Sequence, residues 1–360
     1  MRVHGGNPWA LARALDRPVE QILDFSADLN PLGFPDVVRA VITESLAAIR
    51  HYPDPEALAF RRAVAEHHGV PLEQVWPGNG SAELIVTLTR LRPARRMVVV
   101  TPTFAEYAWA AAQAGAEVIA VPLAQDAGFP LVLDEAAWRR ALAGAGLVFV
   151  CNPNNPTGTL IPLQTLRTLA AWCAAAGARL VVDEAFMEFV EPAAQASLLG
   201  EPRVVVLRSL TKLFAVPGLR LGYVVAAADV IEPLRAAQPP WPLNTFALAV
   251  GPALLAQSAF VARTRAFIRE HRAALAQALR HVPGLTPLPS VANFVLCRLD
   301  HPVLTAAAVC ERLAARGLLV RSGDGFTGLP PGRFLRIAVR AADEQALLVQ
   351  ALREVLRHAG

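Results

Sequence analysis

The segment of residues 209–223, SLTKLFAVPGLRLGY, decides the fold of this chain. Its one lysine, Lys212, stands among apolar residues, after the hydroxyls of Ser209 and Thr211 and before Arg220. Because a cation is costly to bury, burial would lower the pKa of this lysine and make it a nucleophile that forms a Schiff base with a carbonyl. The hydroxyls and the arginine suit a dianion such as phosphate. We therefore predict a site for pyridoxal 5′-phosphate (PLP), which carries an aldehyde and a phosphate; an ordinary surface lysine in a loop is the alternative.

Length and composition indicate a large folded protein. The 360 residues exceed what one hydrophobic core usually serves, so two units are expected. Hydrophobic residues make up 54% of the chain and charged residues 18%, which argues against disorder. The net charge of +4 comes from basic residues that are scattered along the chain. This pattern does not favour nucleic-acid or membrane binding, although mild positive charge suits an anionic small substrate.

The cysteines and the N-terminus bear on the compartment. The cysteines show no CxxC spacing and lie in apolar segments, which is typical of reduced thiols in the cytoplasm. They are Cys151, Cys173, Cys297 and Cys310. The first residues lack a continuous apolar leader, and no run of about 18 apolar residues follows. We therefore expect a cytoplasmic protein, and no residue pattern predicts a metal site.

Apolar runs that alternate with helical patterns indicate an α/β fold. Runs rich in β-branched residues predict strands at 97–101, 147–151, 179–183, 204–207 and 222–225. Such continuous apolar strands are typical of a mostly parallel sheet covered by helices on both faces. A proline-dense break at 239–242 precedes a long helical pattern over 246–280 and a smaller α+β unit. We predict a large domain of residues 46–243, and a small domain of residues 1–45 and 244–360 that includes an N-terminal arm.

Polar residues follow several of these strands. In a parallel sheet the ligand lies beyond the carboxyl ends of the strands, so Asn155, Asp183 and Lys212 are expected on one rim. Gly80 and Ser81 stand at the start of a helical pattern, where free backbone N–H groups can bind an anion. A plain serine N-cap is the alternative for that second motif.

Four motifs together resemble the fold-type I PLP enzymes of the aspartate aminotransferase superfamily. They are NPTG at 155–158, DEA at 183–185, SLTK at 209–212 and GLRLG at 218–222, and the resemblance extends over nearly the whole chain. The branch that it resembles contains the histidinol-phosphate aminotransferases and the threonine-phosphate decarboxylases. The resemblance implies the fold-type I architecture, with a large PLP-binding domain and a smaller α+β domain.

The resemblance also implies roles around the cofactor ring. Lys212 would hold the aldehyde and carry the proton at the substrate Cα, and Asp183 would face the pyridine nitrogen and keep it protonated. Asn155 would donate to the ring oxygen and contact the substrate. Phe104 would stack on the ring, although Tyr107 is near enough in sequence to be confused with it. The alternatives are a helix cap for Asp183 and turn chemistry for Asn155.

The cofactor phosphate would be bound by residues from both subunits of a homodimer. From the same chain the resemblance implies Gly80, Ser81, Ser209, Thr211 and Arg220. Tyr52 would reach the phosphate from the neighbouring subunit. Shared active sites are therefore expected.

The substrate is expected to be a phosphorylated amino acid held by arginines. Arg336 matches the family's substrate-carboxylate arginine, and Arg321 matches a position that holds the substrate phosphate. Arg340 is an assisting candidate, and His4 and Asn30 would grip the phosphate and the carboxylate. Arginines on strands are also often simply solvated, which is the alternative for Arg321 and Arg340.

The branch is indicated by departures from the aminotransferase pattern. Phe186 stands where most relatives carry a tyrosine, and HGGN at 4–7, DFSA at 24–27 and LFAVP at 213–217 are similar to the decarboxylases. The expected reaction is decarboxylation of L-threonine O-3-phosphate to (R)-1-amino-2-propanol O-2-phosphate in cobalamin biosynthesis. A histidinol-phosphate aminotransferase that uses glutamate and 2-oxoglutarate is the second interpretation. A PLP-binding regulator is the third, and it would need a DNA-binding extension that the sequence does not show.

Overall fold

The computed structural model describes residues 5–91 and 95–357, so the predicted substrate residue His4 lies outside the described residues. Within these ranges the strands are β1 Leu23–Asp24, β2 Val75–Asn79, β3 Arg96–Thr101, β4 Glu117–Pro122, β5 Ala145–Cys151, β6 Arg179–Asp183, β7 Val204–Ser209, β8 Leu221–Val225, β9 Leu285–Pro287, β10 Phe294–Leu299, β11 Leu318–Leu319, β12 Arg321–Ser322 and β13 Phe334–Ala338. The α-helices are α1 Pro8–Leu15, α2 Val37–Glu44, α3 Leu58–His68, α4 Ser81–Leu91, α5 Ala105–Gln113, α6 Glu135–Leu142, α7 Leu163–Ala175, α8 Ala228–Ala237, α9 Thr245–Leu255, α10 Ser258–Arg280, α11 Ala306–Ala314 and α12 Ala342–Arg357.

The main sheet has seven strands in the order β2-β8-β7-β6-β5-β3-β4. The strands from β4 to β7 pair in parallel, and β8 runs antiparallel to both β2 and β7. Alternate residues of β3 enter different cores, Val98 on one face and Val99 on the other. Because both faces are buried, the strand needs an unbroken apolar run. The predicted mostly parallel sheet is confirmed, and β2 and β4 are strands that the sequence interpretation did not name.

A second, antiparallel sheet has the order β12-β13-β10-β9 and lies entirely in the C-terminal part of the chain. The short strand β1 pairs in parallel with β11, which ties the residues after the N-terminal arm to the C-terminal part. Phe25 just beyond β1 is fully buried in a core that also contains Leu335 of β13. The division into a large domain of residues 46–243 and a small domain of residues 1–45 and 244–360 stays a prediction.

The predicted helix over 246–280 is wrong in one respect. Two helices, α9 and α10, fill this range, and they bend by 80° at the break between them. Gln257 precedes α10 with φ −87° and ψ 51°, which is outside the helical region and ends the continuous hydrogen-bond ladder. Within the described ranges, no individual helix combines the length and the apolar character needed to cross a membrane, and this bent pair passes that test only when joined.

The carboxyl ends of three parallel strands meet at one rim of the main sheet. Cys151, Asp183 and Ser209 are the last residues of β5, β6 and β7, and Cys151 is the register partner of Asp183. The loops that follow these strands carry Asn155 and Lys212. The topology therefore brings together the polar residues that the sequence placed after separate strands.

Candidate active site

A cavity of about 480 Å³ opens at this rim, between the main sheet, the arm and the small sheet. Its lining includes Lys212, Asp183, Asn155, Arg220, Arg321 and Arg336. Among the predicted cofactor residues, the lining also contains Gly80, Ser81, Phe104, Ser209 and Thr211. A concave site with several converging charged groups is the usual form of a small-molecule site.

Lys212 is held by a short chain of hydroxyls. Its Nζ donates to Thr211 Oγ1 at 2.9 Å, and Thr211 Oγ1 lies 2.8 Å from Ser209 Oγ. Burial lowers the pKa of Lys212, and the charges of Asp183 and Asp28 oppose that shift. A lysine with a lowered pKa has a larger neutral fraction at neutral pH, which is the form that attacks a carbonyl.

Asp183 is buried at the end of β6 and has two donors. Tyr107 Oη donates to Asp183 Oδ2 at 2.7 Å, and the backbone N–H of Ala185 donates to Oδ1 at 3.0 Å. Burial raises the pKa of Asp183, while the two hydrogen bonds and Lys212 lower it. The ring of Tyr107 stacks on Phe149 at 5.2 Å while its hydroxyl holds the carboxylate. Phe104 lines the cavity, and its stacking on a cofactor ring stays a prediction. Sequence reasoning missed this role of Tyr107.

The start of α4 forms a cradle with room for a phosphate. Gly80 has φ +75°, and a Cβ at this position would lie 2.6 Å from Arg220 Nη2. A Cβ on Gly222 would lie 2.7 Å from the backbone nitrogen of Ser81. The two glycines therefore let Arg220 and the first N–H groups of α4 approach the same point. This arrangement fits the phosphate of PLP.

Arg336 is buried and already has partners on three elements. Its Nη1 donates to Asn155 Oδ1 at 2.5 Å and lies 2.7 Å from Asp28 Oδ2, and its Nη2 donates to the carbonyl of Ser26 at 2.9 Å. The guanidinium also lies 5.2 Å from the ring centroid of Phe294. Asp28 is a cavity residue that the sequence interpretation did not identify, although it directly follows the DFSA motif at 24–27.

Arg321 lies beside Arg336 and is the less engaged of the two. Its guanidinium packs over Phe326 at 5.1 Å, and within residues 5–91 and 95–357 it makes no hydrogen bond or ion pair. Burial, and then the charge of Arg336, lower its pKa to about 10. Gly325 leaves space for it, since a Cβ there would lie 2.3 Å from Arg321 Nη2. Arg321 therefore offers a guanidinium to a ligand in the cavity.

Other predicted residues lie away from the cavity. The Asn30 amide nitrogen donates to the carbonyl of Leu213 in the loop after Lys212 at 2.7 Å and to Thr264 Oγ1 of α10 at 2.8 Å. Its donors are therefore used within the chain, and it is not among the residues that line the cavity, which does not fit the prediction that it grips substrate. Arg340 donates to both carboxylate oxygens of Glu344 and does not line the cavity.

Tyr52 and Phe186 complete the set of predicted positions. Tyr52 is 76% exposed, stacks on Trp241 with ring centroids 4.2 Å apart, and is not among the residues that line this cavity. That position leaves it available to a neighbouring subunit. Phe186 is buried, lines the cavity and meets Phe294 edge-on at 5.1 Å. The cavity wall is therefore apolar at position 186, where most relatives were expected to carry the hydroxyl of a tyrosine.

The family model of aminotransferase class I and II matches residues 20–355. This chain belongs to that family. The fold is the fold-type I architecture of PLP enzymes, and a PLP-dependent protein is consistent with the lysine, the buried carboxylate and the phosphate cradle.

The chain is similar to proteins with two different activities. A threonine-phosphate decarboxylase of Salmonella typhimurium is 38% identical, over 98% of this chain and 96% of that protein. A histidinol-phosphate aminotransferase of Symbiobacterium thermophilum is 37% identical, over 94% of this chain and 91% of that protein. The structure of the Sinorhizobium meliloti histidinol-phosphate aminotransferase in complex with PLP is similar with a TM-score of 0.87 at 26% identity, covering 99% of this chain and 96% of that chain.

Proposed function

We propose that this protein is a PLP-dependent decarboxylase that converts L-threonine O-3-phosphate to (R)-1-amino-2-propanol O-2-phosphate and carbon dioxide. The observation that carries the proposal is the 38% identity to a threonine-phosphate decarboxylase along almost the entire chain. Arg321 and Arg336 in one cavity support it, because the substrate carries both a phosphate and a carboxylate. Phe186 also supports it, because this position departs from the tyrosine of most relatives in the way expected of the decarboxylases. In a host that makes cobalamin, the product would enter that pathway. The free cysteines support a cytoplasmic location.

The reaction breaks the bond between Cα and the carboxylate carbon and puts a proton on Cα. PLP, when bound, supplies an electron sink for the pair of electrons left at Cα. Lys212 holds the cofactor and carries the proton, since Nζ is kept in place by Thr211 Oγ1 and its pKa is lowered by burial. Asp183 provides the negative charge that keeps the cofactor nitrogen protonated, and Tyr107 supports that charge.

The arginines decide which bond at Cα is broken. An aminotransferase breaks the Cα–H bond, whereas a decarboxylase breaks the bond to the carboxylate, and the choice depends on which bond is aligned with the cofactor's π system. Arg321 binds the phosphate and Arg336 binds the carboxylate in this proposal, so the substrate is held at two points. Two-point binding fixes rotation about the bonds at Cα.

A histidinol-phosphate aminotransferase is the second candidate. It is favoured by the 37% identity to such an enzyme over 94% of this chain. Histidinol phosphate has a phosphate for Arg321 but no carboxylate, whereas glutamate, which would supply or accept the amino group, has a carboxylate for Arg336.

The deciding experiment measures carbon dioxide release from L-threonine O-3-phosphate with PLP and without a keto acid. We expect stoichiometric release, and a loss of about 10²–10⁴-fold in Lys212→Ala, because the proton carrier is removed. No release, with histidinol phosphate and 2-oxoglutarate giving glutamate instead, would replace this proposal by the second candidate.

The protein is proposed to act as a homodimer with shared sites. Tyr52 is exposed, and the exposed apolar residues Leu46 and Ile49 precede it in the same segment. Together with Trp241 they are side chains whose burial against a second copy would be favourable.

A further inference from the structure

Asp28 is a buried carboxylate inside a cavity that is proposed to bind an anion. Its side chain is 4% exposed, and Oδ2 lies 2.7 Å from Arg336 Nη1. Oδ1 is also buried and has no hydrogen-bond partner among the described residues. A buried carboxylate oxygen without a donor is costly, so this atom points to a missing partner.

The turn that presents Asp28 is fixed on both sides. Asp24 Oδ1 accepts from the backbone N–H groups of Ser26 and Ala27, and the N–H of Gly6 in the arm donates to Ser26 Oγ at 2.9 Å. A Cβ on Gly5 would lie 2.1 Å from the carbonyl of Ser26, so the arm can pack directly on this turn. Asp28 therefore cannot move away easily when a ligand reaches Arg336.

We propose that Asp28 couples anion binding in the cavity to proton uptake: it is the built-in counter-anion of Arg336, and a substrate anion binds there together with a proton taken up by Asp28. The proton comes from solvent and adds to a carboxylate oxygen. The resulting O–H donates to an oxygen of the substrate anion, which gives the unpartnered side of Asp28 a hydrogen bond. The inference rests on the proposed function for the identity of the substrate.

The charges around Asp28 make this proton uptake possible near neutral pH. Burial raises the pKa of Asp28 to about 6, Arg336, Lys212 and Arg321 lower it, and Asp24 raises it. Above this pKa the free site carries the carboxylate, so binding an anion there requires protonation. The affinity for an anion should then fall about tenfold for each pH unit above about 6, until the pKa of the occupied state is reached.

The test uses the PLP-loaded protein and 3-phosphonopropionic acid, which has a carboxylate and a phosphonate but no amine to react with the cofactor. Isothermal titration calorimetry at pH 7, in two buffers with different heats of ionisation, gives the number of protons taken up on binding. We expect wild type to take up about one proton more than Asp28→Asn, since asparagine donates an N–H without titrating. The exposed Asp126→Asn is the control and should behave as wild type.

The dissociation constant is also measured from pH 6 to pH 8.5. The ratio between wild type and Asp28→Asn should rise with pH, because ionisation of the probe is common to both proteins. The inference would be overturned if wild type and Asp28→Asn took up the same number of protons and the ratio of their dissociation constants did not change with pH. If Asp28→Asn does not fold, Asp28→Ser is measured in its place, with the same expected results.

The two proposals fail separately. Carbon dioxide release without a difference in proton uptake would leave the decarboxylase standing and remove the role of Asp28. A difference in proton uptake without carbon dioxide release would keep that role and remove L-threonine O-3-phosphate as the substrate.

Discussion

At the end of β6, Asp183 depends on Tyr107 for its charge. Burial raises the pKa of this carboxylate, and the 2.7 Å hydrogen bond from the Tyr107 hydroxyl is the largest of the effects that lower it. A hydrogen bond to a charged group contributes about 1.5–3 kcal/mol, and this one favours the charged form of Asp183. The charge on Asp183 is required for the proposed chemistry, so the tyrosine should be visible in the pH dependence.

Tyr107→Phe should therefore raise the pKa of Asp183. Activity that needs the carboxylate is lost as pH falls through that pKa, so the acid limb of the kcat profile should move to higher pH. The matched control is Tyr223→Phe, which removes a buried hydroxyl that lies 2.7 Å from His68 Nε2 and is not among the residues lining this cavity. Equal shifts in both variants would contradict a specific role for Tyr107.

The residues that sequence reasoning found share one property. Asn155, Asp183 and Lys212 follow apolar strands, and the parallel topology alone brings such residues to one rim. Asp28 and Tyr107 were missed because their roles come from contacts between distant parts of the chain, Asp28 with Arg336 and Tyr107 with Asp183. No periodicity or spacing encodes which carboxylate will meet which donor.

The same contrast holds for the elements. Continuous apolar runs predict the central parallel strands, because only strands covered on both faces need them. The break between α9 and α10 was not predicted, since an apolar helical pattern continues through it and the backbone of Gln257 alone leaves the helix. Asn30 was expected at the substrate, but its amide holds the loop after Lys212 because the main chain there needs buried donors.

The loop between β2 and α4 allows a prediction about the cofactor. Gly80→Ala should weaken PLP binding at least about tenfold, because the new Cβ would displace Arg220 and remove a charge-assisted hydrogen bond to the phosphate. It should also cost about 1–2 kcal/mol of folding stability from the positive φ. The dissociation constant is measured by absorbance titration of the PLP-free protein.

Gly177→Ala is the matched control for that loop. Gly177 has φ +74°, almost the same as Gly80, and its Cβ would meet nothing within 4 Å. Both variants should lose a similar amount of stability in thermal unfolding, and only Gly80→Ala should bind PLP less tightly. A similar loss of PLP affinity in both would attribute the effect to backbone strain and contradict the phosphate cradle.

For the whole molecule, the expected homodimer would explain why Tyr52, a predicted cofactor-binding residue, is exposed on the surface. Tyr52 and Trp241 stack on each other on the surface of one chain, and Tyr52 is outside the residues that line its own cavity. A closed two-fold dimer presents the same patch twice, so each Tyr52 would enter the site of the other subunit. In such a dimer, activity would depend on both subunits.

Mixed dimers of two inactive variants test this arrangement directly. Tyr52→Ala and Lys212→Ala should each have little activity, while their co-expressed mixture should recover about one quarter of wild-type activity, since half of randomly formed dimers contain both variants and each of these has one intact site. Light scattering establishes that dimers form, and carbon dioxide release gives the activity.

The control pairs Lys212→Ala with a chain that carries both Tyr52→Ala and Lys212→Ala. No dimer of these two chains can assemble an intact site. If Tyr52 acted within its own chain, neither subunit of a mixed dimer would have a complete site and the mixture would stay as inactive as its parents. Recovery therefore requires Tyr52 to cross the subunit boundary.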